Sequence, residues 1–179
     1  MVCKRAFLVG AGHLSDDEMR SGSTALSSVW GGELLEYSCA DDPREVLASL
    51  SKENGLVQVL GDPAINYCYR GSWLEALAAW REPTILMASS DSSGEMTGCA
   101  SAYVALCQVL SVPLLGIIQV GGVWTPLHRK LDGLPWCGLI PGSEGNKLLS
   151  NDNSGKDQEI KVEEVVFRLR QRMLNLSFK

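Results

Sequence analysis

Two dense apolar runs flanking one helical pattern constrain this chain more than any other feature. Pro83-Thr84-Ile85-Leu86-Met87-Ala88 leads into the small-residue turn Ser89 to Glu95. An apolar helical pattern then runs through Leu110, and a second dense run spans Val112 to Val120. A strand covered on both faces reads as a near-continuous apolar run, whereas a half-exposed strand alternates. Two such runs joined through a helix make a βαβ unit, whose strands lie parallel because the helix carries the chain back across the sheet. Leu134 to Pro141 reads as one more strand at the end of this stretch.

The upstream half repeats the pattern. Arg5 to Val9 is a short apolar run ended by Gly10-Ala11-Gly12, and Glu33 to Cys39 and Leu56 to Leu60 are further strand candidates. Between them lie three helix starts: Ser15-Asp16-Asp17-Glu18 and Ser72-Trp73-Leu74-Glu75 as capping boxes, and Asp42-Pro43-Arg44-Glu45 with Pro at the first helical position. The first helix is expected to be weak, because Ser21, Gly22, Ser23 and Thr24 are poor helix formers. With no hairpin signal, the expected fold is a single α/β domain. It has a doubly wound, mostly parallel sheet of five to six strands with helices on both faces. Residues 1–141 form the core. Residues 142–159 are polar and rich in Gly, Ser and Asn, as a loop or linker is. Residues 160–179 carry an amphipathic helix with Val162, Val165, Val166, Leu169, Met173 and Leu176 on one stripe.

Composition narrows the function classes. The 179 residues carry a formal charge of −5 with no basic stripe, which argues against nucleic acid or an anionic membrane as partner. No apolar window reaches the ~18 residues needed to span a bilayer. The segment Met1 to Leu8 lacks a signal peptide's apolar region and cleavage site, so a cytoplasmic protein is expected. The 6 cysteines form no C-x-x-C pair, several sit inside apolar runs, and reduced buried thiols follow. No metal site is expected from them.

In a doubly wound sheet, ligands bind beyond the carboxyl ends of the strands. Four turns therefore qualify. Gly10-Ala11-Gly12-His13-Leu14-Ser15 stands where a phosphate-binding loop would be, but it lacks the lysine that G-x-x-x-x-G-K-[ST] supplies, and Asp16, Asp17 and Glu18 follow it. The same glycines, Gly10 and Gly12, fit the start of a dinucleotide fingerprint with Ser15 in place of its third glycine and Glu36 as the ribose-binding acid. Gly61-Asp62-Pro63 offers a carboxylate at a strand end, or an Asp-Pro turn with a side-chain cap, and Arg70 nearby could pair with an anion. In Ser89 to Glu95, Ser93 and Gly94 could cradle an anion, or Ser92 and Glu95 could form a capping box. Gln119 could present its amide to a base, with Trp124 as a stacking face. His128 beside Arg129 and Lys130 could bind an anion, or form a solvated basic turn. No catalytic residue set emerges, and G-x-S-x-G is absent.

In order, these segments resemble dethiobiotin synthetase and its relatives in the P-loop NTPase-like group of cobyrinate-synthase type. Pro83 to Ala88 is similar to that family's "PVILVA" strand, Gly94-Glu95-Met96-Thr97 to its "LGTIN" helix start, and Val112 to Gln119 to "LPVAGVVLN". Leu134 to Pro141 resembles "P-x-x-G-x-I-P", and Leu56 to Gly61 occupies the place of "VEGAGG". The resemblance covers roughly the second half of the chain. It implies a nucleotide-binding scaffold with Gln119 and Pro135 to Pro141 around the adenine. The family's phosphate-loop lysine and threonine are missing, and its metal-binding glutamate is Leu60 here, with Asp62 shifted. No magnesium site is therefore expected.

The expected function is a dethiobiotin synthetase-like protein lacking a working phosphate-binding loop. It would bind a small molecule or a nucleotide such as ATP without ATP-dependent ligase activity, as a homodimer. Its expected binding residues are Gly10, Gly12, Gly61, Asp62, Ser93, Gly94, Gln119 and Pro141. A Rossmann-type dinucleotide-binding protein and a non-catalytic regulatory or interaction protein on the same fold are the alternatives.

Overall fold

The computed structural model describes residues 5–12, 14–50, 54–67, 70–96, 99–142 and 162–176. Strands and helices alternate: β1 (Ala6–Gly10), α1 (Asp16–Trp30), β2 (Glu33–Ser38), α2 (Pro43–Ser49), β3 (Gly55–Leu60), α3 (Trp73–Ala79), β4 (Thr84–Ser89), α4 (Ala100–Leu110), β5 (Leu114–Val120), α5 (Pro126–Leu131), β6 (Trp136–Ile140) and α6 (Val162–Leu176). The strands form one six-stranded sheet in the order β2-β3-β1-β4-β5-β6. Every ladder is parallel. The doubly wound α/β fold expected from the sequence is the fold observed.

Successive strand residues point to opposite faces, so β1 divides between two cores. Phe7 and Val9 pack with Leu47 of α2, Trp73 and Leu77 of α3, and Val104 and Cys107 of α4. Ala6 and Leu8 pack with Met19, Leu26 and Trp30 of α1 and with Val165, Leu169 and Met173 of α6. Of the apolar stripe expected for the last helix, Val165, Val166, Leu169 and Met173 are buried on the α1 side, Val162 is partly buried and Leu176 is exposed. Its arginines also cap the sheet: Arg172 donates to the carbonyls of Leu115 at 3.0 Å, Pro135 at 2.7 Å and Trp136 at 3.0 Å.

Helix starts follow the capping chemistry. Ser15 and Ser72 each form a complete capping box, and Asp42 accepts from Arg44 N with Pro43 in the first turn. The weakness expected of α1 is corrected, because the helix runs unbroken through Ser21 to Thr24. These small residues let it lie close to the sheet. A Cβ on Gly22 would come within 2.4 Å of Met87 Cε and 2.7 Å of Ile140 Cδ1, and Ser23 is fully buried. Low helix propensity here is offset by contact that larger side chains would block.

Two further expectations change. His128, Arg129 and Lys130 belong to helix α5, started by Pro126, and do not form a turn. Helix α4 begins at Ala100, with Cys99 as a cap that makes no side-chain hydrogen bond, so Ser92 and Glu95 do not box it. The 142–159 linker falls, apart from Gly142, outside the described residues. Among the described residues, no helix is long and apolar enough to cross a membrane.

Candidate functional site

The switch point of the sheet lies at the carboxyl end of β1. From there the chain moves through α1 towards β2, while from β4 it moves through α4 on the other face towards β5. The expected binding residues separate into two groups around this point.

The first group is the β1–β3 end. Ala11 N donates to Met87 O at 2.8 Å, which folds the turn over β4. Gly12 has φ +82°, and a Cβ there would lie 2.6 Å from Cys99 Cβ, so the loop is pressed against the start of α4. The first amides of α1 are where a phosphate would bind. Here the chain's own Glu18 stands beside that end, on the cap residue Ser15. Its carboxylate accepts from Ser15 N at 3.1 Å, from Ser15 Oγ at 2.8 Å and from Ser89 Oγ of β4 at 3.0 Å. Asp62 is equally engaged: Oδ1 accepts from Ala64 N at 2.9 Å and from the Tyr103 hydroxyl. That is the Asp-Pro turn with a side-chain cap. Burial, then the hydrogen bond to Asp62, pushes the Tyr103 phenol well above its ordinary range. Burial, followed by the charge of Asp62, pushes the Cys39 thiol up to about 12. Both groups are protonated at neutral pH, so neither is an activated nucleophile.

Glu36 is separated from the Gly10 turn by β3. Arg20 reaches it with two bonds of 2.9 and 3.1 Å, and Gln58 Nε2 adds a third at 2.6 Å. The hydrogen bond from Arg20 lowers its pKa first, and the smaller hydrogen bond from Gln58 acts in the same direction. Arg70 lies 3.6 Å from Asp42.

The second group borders a cleft between the β4–α4 loop, the start of α4, helix α5 and the turn before β6, with a volume of about 470 Å³. Ser93, Gly94, Met96, Ser101, His128 and Arg129 are among its lining residues. Two loops make its wall and interlock at glycines. A Cβ on Gly94 would fall 2.1 Å from Val123 O, and one on Gly122 would fall 2.2 Å from Asp91 O. Asp91 ties its own loop: Oδ1 accepts from Ser93 N at 2.9 Å, Ser93 Oγ at 2.6 Å and Glu95 N at 2.9 Å. The hydrogen bond from Ser93 Oγ is the main reason its carboxyl titrates below the usual range.

Beneath the wall, Gln119 is fully buried, and both ends of its amide are in use. Nε2 donates to Ser90 Oγ and Gly121 O at 2.9 Å and to Val123 O at 3.2 Å. Oε1 accepts from Arg129 Nε at 2.9 Å. The Arg129 guanidinium also donates to Gly94 O and lies 4.9 Å above the Trp136 ring centroid. Trp124 meets Trp136 edge-on at 6.1 Å. Pro141 is exposed just after β6, where Ile140 O accepts from Gly121 N at 3.0 Å.

The cleft thus collects Ser93 and Gly94, with Gln119 supporting it from below. Gly10, Gly12, Gly61 and Asp62 form a separate packed group. Sequence reasoning missed Tyr103 and the buried role of Arg129. Thr125-Pro126, a helix-start signal, was the available clue to α5. Among the described residues, no group of three or more His, Cys, Asp or Glu is placed to hold a metal ion. Neither a family model nor a curated protein matches this chain.

Proposed function

We propose that this chain is a dethiobiotin synthetase-like binding protein without phosphoryl transfer. Its small-molecule ligand sits in the cleft between the β4–α4 loop, the start of α4 and helix α5. The observation that carries the reading is the position of Glu18. Anions bind a helix start through free amides and the positive end of its dipole. In α1 a carboxylate from the first turn already stands beside those amides, tied to Ser15 and across to Ser89. A triphosphate would have to displace it and lie beside Asp16 and Asp17 with no lysine to offset the charge. The cleft is the alternative place, and its volume of about 470 Å³ suits a small ligand.

Two observations weigh against a dinucleotide at β1. The usual order for that fold is 3-2-1-4-5-6, with β2 beside β1; here β3 stands between them, and Glu36 is held by Arg20. A second reading, a non-catalytic interaction protein, draws on α5, where Leu127 and Leu131 are 63% and 75% exposed.

The test has two arms. Calorimetry and phosphate-release assays with Mg-ATP are expected to show neither binding nor hydrolysis; stoichiometric binding or turnover contradicts the proposal. A thermal-shift survey of non-nucleotide metabolites is expected to find ligands whose stabilisation is lost in Ser101→Trp, which fills the cleft from the exposed first turn of α4. If no metabolite shift depends on Ser101 and light scattering gives a stable oligomer, the interaction reading replaces this one.

A further inference from the structure

The two edges of the sheet are finished differently. At β6, Arg168 Nη1 of α6 donates to Cys137 O at 3.1 Å and Arg172 Nη2 to Trp136 O at 3.0 Å. At β2, no strand pairs with the outer edge among the described residues. Glu33 N donates to Asn54 O and Cys39 N to Leu60 O, so the odd-numbered residues of this strand bond β3. The N–H and C=O groups of Leu34 and Glu36 therefore point away from the sheet, and they have no partner among the described residues. Ser38 ends this row: its N–H donates to Asp41 Oδ2 at 2.8 Å, and its C=O accepts from Asp41 N at 3.0 Å. An unpaired edge is a template for another strand, and chains commonly blunt it with lysine, proline or a bulge. Glu33 to Ser38 contains neither residue, and its ladder to β3 has no register shift.

The side chains around this edge indicate what would pair with it. Leu34 on the α1 face, and Leu35 and Tyr37 on the other, are half-buried and leave apolar surface beside the open row. Glu36 is fixed in place by Arg20 and by Gln58 Nε2 at 2.6 Å, with 44% of its side chain exposed. Glu33, Asp41 and Asp42 stand in or just after the strand. Asp16 and Asp17 open α1 nearby: the hydrogen bond to Glu36 is the main reason the Arg20 pKa is raised, and the charges of both aspartates add to it. The cations of the region are engaged or offset. Arg20 holds Glu36, Arg70 lies 3.6 Å from Asp42, Arg170 donates to Trp30 O, and Arg44 is followed by Glu45. The edge is therefore acidic. Pairing β2 with a second copy would set that edge against itself, which like charges oppose, whereas a basic strand is attracted.

We propose that β2 accepts an extended basic segment of another protein as a further strand of the sheet. The main chain of that segment bonds the outward groups of Leu34 and Glu36, which supplies affinity, and its side chains supply specificity. Residues alternate between faces along a strand. The segment therefore carries Lys or Arg on the α1 face, beside Glu36, and β-branched residues on the other, beside Leu35 and Tyr37. This surface is separated from the cleft by β3 and β1 and does not depend on it.

The experiment is calorimetric titration with three acetylated and amidated hexapeptides: Lys-Val-Lys-Val-Lys-Val, the same peptide with every amide N-methylated, and Glu-Val-Glu-Val-Glu-Val. The first is expected to bind the wild type, and more weakly as salt rises. The N-methylated peptide keeps the charge but has no main-chain donor, and neither it nor the glutamate peptide is expected to bind. Leu34→Pro removes an outward N–H that β3 does not use, and edge strands accept proline at such positions. It should bind the lysine peptide about tenfold or more weakly than the wild type, while Leu34→Ala, which keeps the N–H, binds more tightly than the proline variant. Silence from the lysine peptide in the wild type overturns the proposal. So does equal affinity for the N-methylated or the glutamate peptide, or undiminished binding by a folded Leu34→Pro. If the proline variant melts low, the N-methylated peptide on the wild type decides by itself. Sedimentation showing a dimer that Leu34→Pro abolishes overturns the proposal in favour of a second copy.

Discussion

Glu18 bridges Ser15 and Ser89 beside one candidate site, and Arg129 joins Gln119 to Gly94 in the wall of the other. Replacing Glu18 by Ala removes half of a capping box and the link to Ser89. The expected loss is about 1 kcal/mol in urea unfolding, the scale of an N-terminal cap. Arg129→Leu should cost more. It strands the Oε1 of Gln119, which is fully buried, and the carbonyl of Gly94, and an unsatisfied buried acceptor costs about 1–3 kcal/mol. Arg129→Lys should recover little, because an ammonium cannot donate along two edges while stacking on Trp136. Asp91 supplies a pH handle. Hydrogen bonds from Ser93 and nearby amides lower its folded pKa below the ordinary 3.8, so its contribution is present above that value and fades as pH falls further. Below about pH 3.8 the loop before α4 should loosen, as followed by amide exchange at Ser93 and Glu95, and Asp91→Asn should loosen it at neutral pH.

At the scale of elements, the cleft depends on two loops that meet only because they carry glycine where backbones touch. Gly94 and Gly122 have φ of +84° and +68°, and a Cβ on either would overlap a carbonyl oxygen of the facing loop. Gly94→Ala or Gly122→Ala should destabilise by more than about 2 kcal/mol, since the left-handed conformation alone costs an L-residue roughly 1–2 kcal/mol. Ligand stabilisation should vanish with it, and a variant that melts and binds like wild type would refute the interlock. Much at this scale was legible in the chain. β1, β3, β5 and β6 are apolar runs stopped by glycine or proline, β4 is one stopped at Ser90-Asp91, and Ser15, Asp42 and Ser72 are the observed caps. Helix α5 left only Thr125-Pro126 as a signal, because it is six residues long and its apolar pair, Leu127 and Leu131, stays exposed. The Gln119–Arg129 pair was legible only as two separate polar residues. Their bond depends on how β5 and α5 meet, and no local spacing encodes that.

The whole molecule carries information that single elements lack. Parallel strands buried on both faces look alike, so the runs that revealed six strands could not reveal that β3 lies between β1 and β2. That order removes Glu36 from the Gly10 turn. Burial also sets an alkaline limit on stability. It raises Cys39 from 9.0 to about 12 and Cys107 from 9.0 to about 11. Thiols with raised folded pKa values contribute fully below 9.0 and lose that contribution as pH climbs towards those values, since the unfolded chain releases its protons first. Stability should therefore fall between about pH 9 and pH 11, and Cys107→Ala should lower the plateau while flattening that fall.

The ligand is proposed to bind between the β4–α4 loop, α4 and α5, and not at the start of α1. A backbone amide chemical-shift map, recorded with a saturating ligand from the thermal-shift survey and separately with Mg-ATP, tests it most directly. Ligand-dependent shifts are expected at Ser93, Gly94, Ser101 and Arg129, with Gly12, Ser15 and Glu18 unmoved in both titrations. Shifts confined to the Gly10 to Glu18 segment on adding Mg-ATP would contradict it.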